Sequence, residues 1–122
     1  MRLLIEGWFS IPHSWSIVNV FQFKELIKDP EWTIYTREKK SPFGKVPPVG
    51  EDLKLNPYNG ESVDAVYRIY AHIELHPHPE DPQVPLFIFM TNEFKILREA
   101  NIAKYHSIDW DALKLKKIFF VT

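Results

Sequence analysis

The chain has 122 residues, 45% of them hydrophobic, and this length supports one hydrophobic core, so we expect a single domain over residues 1–122. It contains no cysteine, which excludes disulfides, thiolate metal sites and a cysteine nucleophile. The 15 basic and 16 acidic residues form no long block of one sign, which argues against a nucleic-acid partner. No apolar run reaches the roughly 20 residues that span a bilayer, so we expect a cytoplasmic protein, or one peripheral to a membrane.

Five apolar segments predict strands, and the fourth is apolar almost throughout, as is typical of a central parallel strand. In chain order they are RLLIE (2–6), WTIYT (32–36), DAVYRIY (64–70), VPLFIFMT (84–91) and KIFFVT (117–122). Residues 37–62, rich in Pro, Gly and charge, are expected to form a long loop of low order. We expect the aromatic residues of the last two strands to be core residues: Phe87, Phe89, Phe119 and Phe120.

Helical spacing of apolar residues begins at Ser14 and stops before Pro30. Ser14 or Ser16 can cap the free amides of this helix. Two more helical stretches are predicted over residues 93–105 and 108–113. This order of elements implies right-handed crossovers. The predicted fold class is α/β, a Rossmann-like three-layer sandwich with a mostly parallel central sheet, in which ligands gather beyond the carboxyl ends of the strands.

Three motifs follow these strands in a familiar order. GWFSIPHSWSIVN leaves the first strand, DAVYRIY is followed by the Pro-rich HPHPEDPQ, and FIFMTNEF closes the fourth strand. Together they resemble the N-terminal, acceptor-side domain of GT-B fold glycosyltransferases, in a bacterial and viral branch with a Gly-aromatic and Ile-Pro-His-Ser first loop. The resemblance covers nearly the whole chain. It implies one half of a GT-B fold, with the C-terminal donor-binding domain absent from these 122 residues.

The segment GWFSIPHSW is the first candidate site. Gly7 permits a tight exit from the strand, and Ser14 with the free amides after it can receive an anion. His13 can donate a hydrogen bond to a phosphate or a sugar hydroxyl, and we count it as catalytic. Trp8 or Trp15 can offer a ring face to a sugar. The alternative is that these aromatics are core residues and that Ser14 is only a cap.

The end of the fourth strand is the second candidate site. Thr91, Asn92 and Glu93 emerge there, and the resemblance implies that Thr91 and Glu93 contact the transferred sugar. Glu93 can act as a general base towards an acceptor hydroxyl, or it can stabilise the start of a helix as an N-terminal charge.

The segment HIELHPHPED contains His72, His76 and His78, and its His-x-His spacing is compatible with zinc or manganese. Its prolines predict a stiff surface loop without a fixed third ligand, so we assign no metal. We interpret the segment instead as an acceptor-side loop in which Tyr70, His72 or Glu74 touches substrate. A solvated turn is the alternative.

Tyr67 and Arg68 alternate on a half-buried strand, so one is expected to face the core and the other a covering helix. Neither is expected to reach a ligand.

Two functions stay open. The resemblance implies transfer of a sugar from a nucleotide-sugar donor to a hydroxyl acceptor, with this chain contributing the carbohydrate acceptor site and no cofactor besides the donor co-substrate. The nucleotide-sugar is contacted through the missing domain, so this chain alone is expected to be inactive for transfer. The alternative is a non-catalytic carbohydrate-binding or regulatory module, a truncated remnant of such an enzyme.

Overall fold

Five parallel strands form the main sheet of the protein. The computed structural model describes residues 1–40, 44, 53–69, 74–75, 78–89, 107–108 and 118–121. In chain order the elements are β1 (Arg2–Gly7), α1 (Ser14–Leu26), β2 (Thr33–Glu38), β3 (Ala65–Ile69), β4 (Glu74–Leu75), β5 (Leu86–Phe89), β6 (Ser107–Ile108) and β7 (Ile118–Val121). The main sheet has the order β2-β1-β3-β5-β7, and β4 pairs with β6 separately. Every one of these pairings is parallel.

This topology confirms the predicted α/β, Rossmann-like fold. Numbered along the chain, the five main strands follow the order 2-1-3-4-5, a doubly wound arrangement whose topological switch point lies between its first and third strands. Here that point is between β1 and β3, at the ends marked by Gly7 and Ile69. The predicted helix over 93–105 lies outside the described residues. Ile108, predicted to begin a short helix, lies in β6 instead.

The two faces of the sheet carry different clusters, because successive side chains along a strand point to opposite faces. On the first, here called the helix face, α1 packs on β1 and β2 through Leu3, Ile5, Phe9, Val20, Phe23 and Ile34. The opposite face, here called the distal face, buries Leu4, Val63, Val66, Val84, Leu86 and Ile88. Val63 and Val84 precede β3 and β5, so both incoming connections contact the distal face.

Two described parts of the predicted loop 37–62 are more regular than its composition predicts. Arg37 and Glu38 extend β2, although both were expected to be loop. Beyond the edge of β2, the Thr36 amide donates to the Asn56 carbonyl at 2.8 Å and the Tyr58 amide donates to the Thr36 carbonyl at 2.9 Å. This part of the connection therefore adds a short parallel bridge to the sheet.

Phe119 contradicts the prediction that the aromatics of the last strands are all core residues. It is 42% exposed and stacks on the half-buried Phe87, with ring centroids 5.1 Å apart. Both rings lie on the helix face in register with Tyr67. Among the described elements, α1 packs over β1 and β2, at the other side of this face.

Position 7 requires glycine because a side chain would not fit there, and not because the chain turns. The expected tight exit does not occur there, since Gly7 continues β1, and among the described glycines only Gly60 has a positive φ, of 97°. A Cβ on Gly7 would collide with the Ile69 carbonyl oxygen and the Asn19 side-chain amide. The approach of α1 to β1 and β3 therefore leaves no room for a side chain at this position.

Gly7→Ala is expected to lower the free energy of unfolding by at least about 2 kcal/mol, because the added methyl overpacks a rigid backbone contact. Gly44→Ala is the matched control, since a Cβ at Gly44 meets nothing within 4 Å and should change stability by less than about 0.5 kcal/mol. Urea denaturation of both variants measures the difference. Equal stabilities would contradict the close approach.

Candidate functional site

The GWFSIPHSW loop lies at the carboxyl edge of the sheet, beside the switch point. Asn19 of α1 is fully buried there. Its Nδ2 donates to the Trp8 carbonyl at 3.0 Å and to the Ile69 carbonyl at 3.3 Å. One side-chain amide thus ties α1 to the ends of both strands that flank the switch point, and this fixes where the helix begins.

His13 caps α1, which corrects the expectation of a Ser14 or Ser16 cap. Its backbone is extended, with φ −146° and ψ 149°, and its Nδ1 accepts from the Trp15 amide at 3.2 Å. Ser14 is the exposed first residue of the helix, and Ser16 is buried. Because Nδ1 is an acceptor, the neutral imidazole carries its proton on Nε2. His13 therefore combines a structural role at Nδ1 with a hydrogen-bond donor at Nε2.

The aromatic rings around His13 differ in accessibility. Trp8 is 2% exposed, its Nε1 donates to the Lys40 carbonyl at 3.4 Å, and His13 meets it edge-on at 5.0 Å between centroids. Trp15 is half-buried, lies parallel to His13 at 6.5 Å and meets Phe89 at the end of β5 edge-on at 6.1 Å. Trp8 is thus a core aromatic in this structure, and Trp15 is the ring at the rim.

A carboxylate of the chain itself occupies the first loop amides. Oε1 of Glu38, at the end of β2, accepts from the Phe9 amide at 2.9 Å and from the Ser10 amide at 3.2 Å. The sequence predicted that an anion binds at the start of α1. In the structure the Trp15 amide donates to His13 instead, and the amides of the preceding loop donate to Glu38. An external anion at this loop must therefore compete with a carboxylate that is already in place.

A buried ion-pair network lies one residue before Gly7, on the distal face. Glu6 is 1% exposed and lies in register with Arg37 on β2 and Arg68 on β3. Its Oε1 is 2.9 Å from Arg68 Nη2, and its Oε2 is 3.5 Å from Arg37 Nη1 and 4.0 Å from Lys39 Nζ. Sequence reasoning missed this network. The signal that could have predicted it is Glu6 at the end of an apolar strand, because a buried carboxylate needs cationic partners.

The cations around Glu6 keep it ionised. Burial raises the pKa of its carboxyl. The charge and hydrogen bond of Arg68, and the charges of Lys39 and Arg37, have the larger effect and lower the pKa to below its ordinary value of 4.5.

The expectation that Tyr67 and Arg68 face opposite sides is confirmed. The Tyr67 hydroxyl lies 3.4 Å from Gln22 of α1 on the helix face, while Arg68 is buried against Glu6. Glu6 and Arg68 are buried, so their ion pair joins the ends of β1 and β3, and the partly exposed Arg37 extends the network to β2.

The second group of predicted site residues lies outside the part of the chain that the structure describes. This group consists of Tyr70, Thr91, Asn92 and Glu93. The strands that lead to them, β3 and β5, end at Ile69 and Phe89. Because β3 pairs in parallel with β1, and β5 in parallel with β3, their carboxyl ends lie at the same edge as the GWFSIPHSW loop. The substrate-binding and catalytic roles of these four residues stay predictions.

His78 is buried, which corrects the prediction of a surface loop at that position. Its Nδ1 accepts from the amides of Glu80 at 3.2 Å and Asp81 at 3.3 Å, and its ring meets Tyr58 edge-on at 5.5 Å. His72 and His76 lie outside the described residues. In the part of the chain that the structure describes, no three His, Asp or Glu side chains come together as a metal site requires.

Comparison with known proteins finds no match to this chain among family models, curated proteins or solved structures. Among the described residues, no helix has the length and apolar character needed to cross a membrane.

Arg68→Met is expected to lower the free energy of unfolding by about 3 kcal/mol, because it leaves the Glu6 carboxylate buried without its closest partner. Arg2→Met is the matched control. It removes an ion pair of the same type, with Asp64 at 3.5 Å, whose side chains are both 47% exposed, so little change is expected. Chemical denaturation measures both variants, and similar small losses would contradict a structural role for the buried network.

Glu6→Gln is expected to flatten the acid side of the pH–stability profile. Since the folded-state pKa of Glu6 lies below 4.5, its carboxylate stabilises the fold above that pH, and this contribution is lost as the pH falls through the folded-state pKa. The wild-type advantage over Glu6→Gln should be constant above about pH 6 and should shrink at more acidic pH. Denaturation at stepped pH tests this. An advantage that grows on acidification would contradict the lowered pKa.

Proposed function

We propose that this chain is the acceptor-side domain of a glycosyltransferase that moves a sugar from a nucleotide-sugar donor to a hydroxyl on a carbohydrate acceptor. The observation that carries the proposal is the position of the GWFSIPHSW loop. This motif, which resembles the first loop of GT-B glycosyltransferases, leaves β1 next to the switch point of a doubly wound sheet. Ligands of such sheets bind at that point, beyond the carboxyl ends of the strands.

His13 is the donor in this proposal, and Trp15 is the ring that a sugar packs against. The hydrogen bond from the Trp15 amide to Nδ1 fixes the orientation of the imidazole, and the parallel stacking of the two rings supports it. A donor that is held in place before the ligand arrives pays less ordering entropy on binding. The half-buried pair therefore suits recognition of a sugar hydroxyl by Nε2 of His13.

The occupied loop amides support an acceptor role rather than phosphate binding. Glu38 accepts from the Phe9 and Ser10 amides, so its negative charge lies where a phosphate-binding loop presents free amides. A neutral hydroxyl approaches this carboxylate at a lower electrostatic cost than a diphosphate does. We accordingly assign the nucleotide-sugar to a second domain, and the acceptor to this one.

The predicted residues beyond β3 and β5 complete the proposed site. Thr91, Asn92 and Tyr70 are assigned to sugar contacts, and Glu93 is the general base that removes the proton from the acceptor hydroxyl as the sugar is transferred. The proposal needs no cofactor besides the nucleotide-sugar co-substrate. It places the enzyme in the cytoplasm or peripherally at a membrane surface, with transfer dependent on the second domain.

Substitution of His13 separates its two roles. His13→Asn keeps a strong N-cap residue but removes the imidazole donor, whereas His13→Ala removes both and should lower stability by about 1 kcal/mol. Ligand-observed NMR of the wild-type chain with short glycans and sugar nucleotides is expected to show glycan binding only. His13→Asn should weaken that binding by up to about tenfold, the value of one hydrogen bond.

Three results would contradict the proposal. Glycan binding by His13→Asn at the wild-type level would remove His13 from the site and leave only its cap. Binding of sugar nucleotides but no glycan by the folded wild-type chain would assign this domain to the donor. Glycan binding that persists in a complete two-domain protein without any transfer would instead favour the non-catalytic module.

A further inference from the structure

His78 is a buried titratable side chain that the proposed sugar transfer does not use. It is 1% exposed, and its ring meets Tyr58 edge-on at 5.5 Å between centroids. Tyr58 packs against the distal-face cluster, so His78 lies on the side of the sheet away from α1. Histidine is the side chain most often used for pH-dependent changes in structure, because imidazole gains a proton near neutral pH.

Three neighbours of His78 Nδ1 require different protonation states of this atom. The Glu80 amide donates to it at 3.2 Å and the Asp81 amide at 3.3 Å, and both bonds require a lone pair on Nδ1. Oε2 of Glu80 lies 2.9 Å from the same nitrogen. An ionised carboxylate only accepts hydrogen bonds, so this contact requires a proton on Nδ1. A single protonation state of the ring cannot satisfy both the amides and the carboxylate.

The second ring nitrogen leaves both neutral forms of His78 incomplete. Nε2 is buried, and no atom of the described residues forms a hydrogen bond with it. A neutral ring that accepts from the two amides carries its proton on Nε2, where the proton is buried without an acceptor. A neutral ring with its proton on Nδ1 can donate to Glu80, but the two amides then lose their acceptor. Each form therefore leaves a polar group unpaired, which costs free energy.

Glu80 supplies the negative charge that a protonated His78 requires. Its Oε1 lies 3.0 Å from Arg37 Nη2 and its Oε2 faces His78, so the carboxylate bridges the two side chains. Arg37 also lies over the Tyr58 ring, 4.6 Å from the ring centroid. The side chain of Glu80 is 51% exposed, so water reaches the bridge. An imidazolium at this position is therefore paired, as a buried charge must be.

The other charged and titratable groups described around His78 have partners or keep their charge. Asp81 Oδ1 accepts from the Gln83 amide at 3.1 Å. Partial burial and the charge of Glu80 raise the pKa of Tyr58 above its ordinary value of 10, so its phenol stays neutral where imidazole titrates. Arg37 stays positive at any pH at which the protein is folded. We accordingly assign the change of partner at Nδ1 to the proton on His78.

We propose that His78 is a pH-sensitive switch in the turn that leads into β5. At higher pH the neutral ring accepts from the Glu80 and Asp81 amides through Nδ1. At lower pH Nδ1 takes up a proton from water, donates to the Glu80 carboxylate and releases both amides. The same turn positions Val84, whose amide donates to the Asp81 carbonyl at 3.2 Å and whose side chain enters the distal-face cluster. Protonation thus loosens the connection into β5. The switch does not depend on the proposed sugar transfer.

NMR titration of the isotope-labelled chain between about pH 8 and pH 5, the range in which histidine changes charge, tests the switch. The amide signals of Glu80 and Asp81 are expected to move with one midpoint, and the ring nitrogens of His78 with the same midpoint. At the upper pH the ring signals should report the proton on Nε2. His78→Asn is the matched variant, because asparagine can accept from the same amides and does not titrate. Its two amide signals should stay constant.

Glu80→Gln removes the negative charge and keeps the length of the side chain. It should lower the proton affinity of His78 roughly threefold, because the half-exposed carboxylate is a modest but direct partner of the imidazolium. Glu25→Gln is the matched control. Glu25 is paired with Lys28 on α1, on the other side of the sheet, and its substitution should leave the midpoint unchanged.

Three outcomes overturn the proposal. The first is a His78 ring that keeps one protonation state over the whole titration. The second is movement of the two amide signals in His78→Asn as large as in the wild type, since the carboxyls of Glu80 and Asp81 are then its cause. The third is a midpoint that Glu80→Gln leaves unchanged. The first and third do not use His78→Asn, so they decide the question even if that variant fails to fold. None of the three alters glycan binding at His13.

Discussion

The close approach of α1 to the carboxyl ends of β1 and β3 sets the geometry of everything at that edge. Gly7 leaves the space, and Asn19 fills it by bonding to the carbonyls of Trp8 and Ile69. Because the contact lies in the second turn of the helix, it fixes the first turn as well, and with it His13 and Trp15. The candidate site therefore depends on a backbone contact that has no direct part in ligand binding.

Two carboxylates stiffen the same edge, and each is bound by partners within the chain. Glu6 is paired with Arg68, Arg37 and Lys39 on the distal face, and Glu38 is bound by two loop amides. The first joins the ends of three neighbouring strands, and the second fixes the loop that follows β1. Their combined effect is a rigid edge, in which the Glu38 carboxylate already occupies the Phe9 and Ser10 amides.

Hydrophobic patterning was sufficient to predict the main strands, the first helix and the parallel sheet. Burial of one or both faces of an element dictates the spacing and the number of its apolar residues. It was insufficient where the role of a residue depends on strand register, or on which of several neighbouring side chains forms a given hydrogen bond. The pairing of Glu6 with Arg68 joins residues 62 positions apart, and only the alignment of β1 with β3 makes them neighbours. The cap was misassigned because serine is the more common N-cap, whereas His13 precedes Ser14 and its Nδ1 reaches the same amide. Phe119 was misassigned because strand composition does not reveal which part of a face an element covers.

The candidate site and the apolar flank of α1 lie on one rigid element. α1 has 13 residues and is therefore about 20 Å long. His13 caps its first turn, and Phe21, Gln22 and Leu26 on its flank line a cavity of about 500 Å³. Asn19 lies between the two and connects both to the sheet. Any displacement of α1 from β1 and β3 would therefore move His13 and Trp15 at one end of the helix together with the apolar flank at its other end.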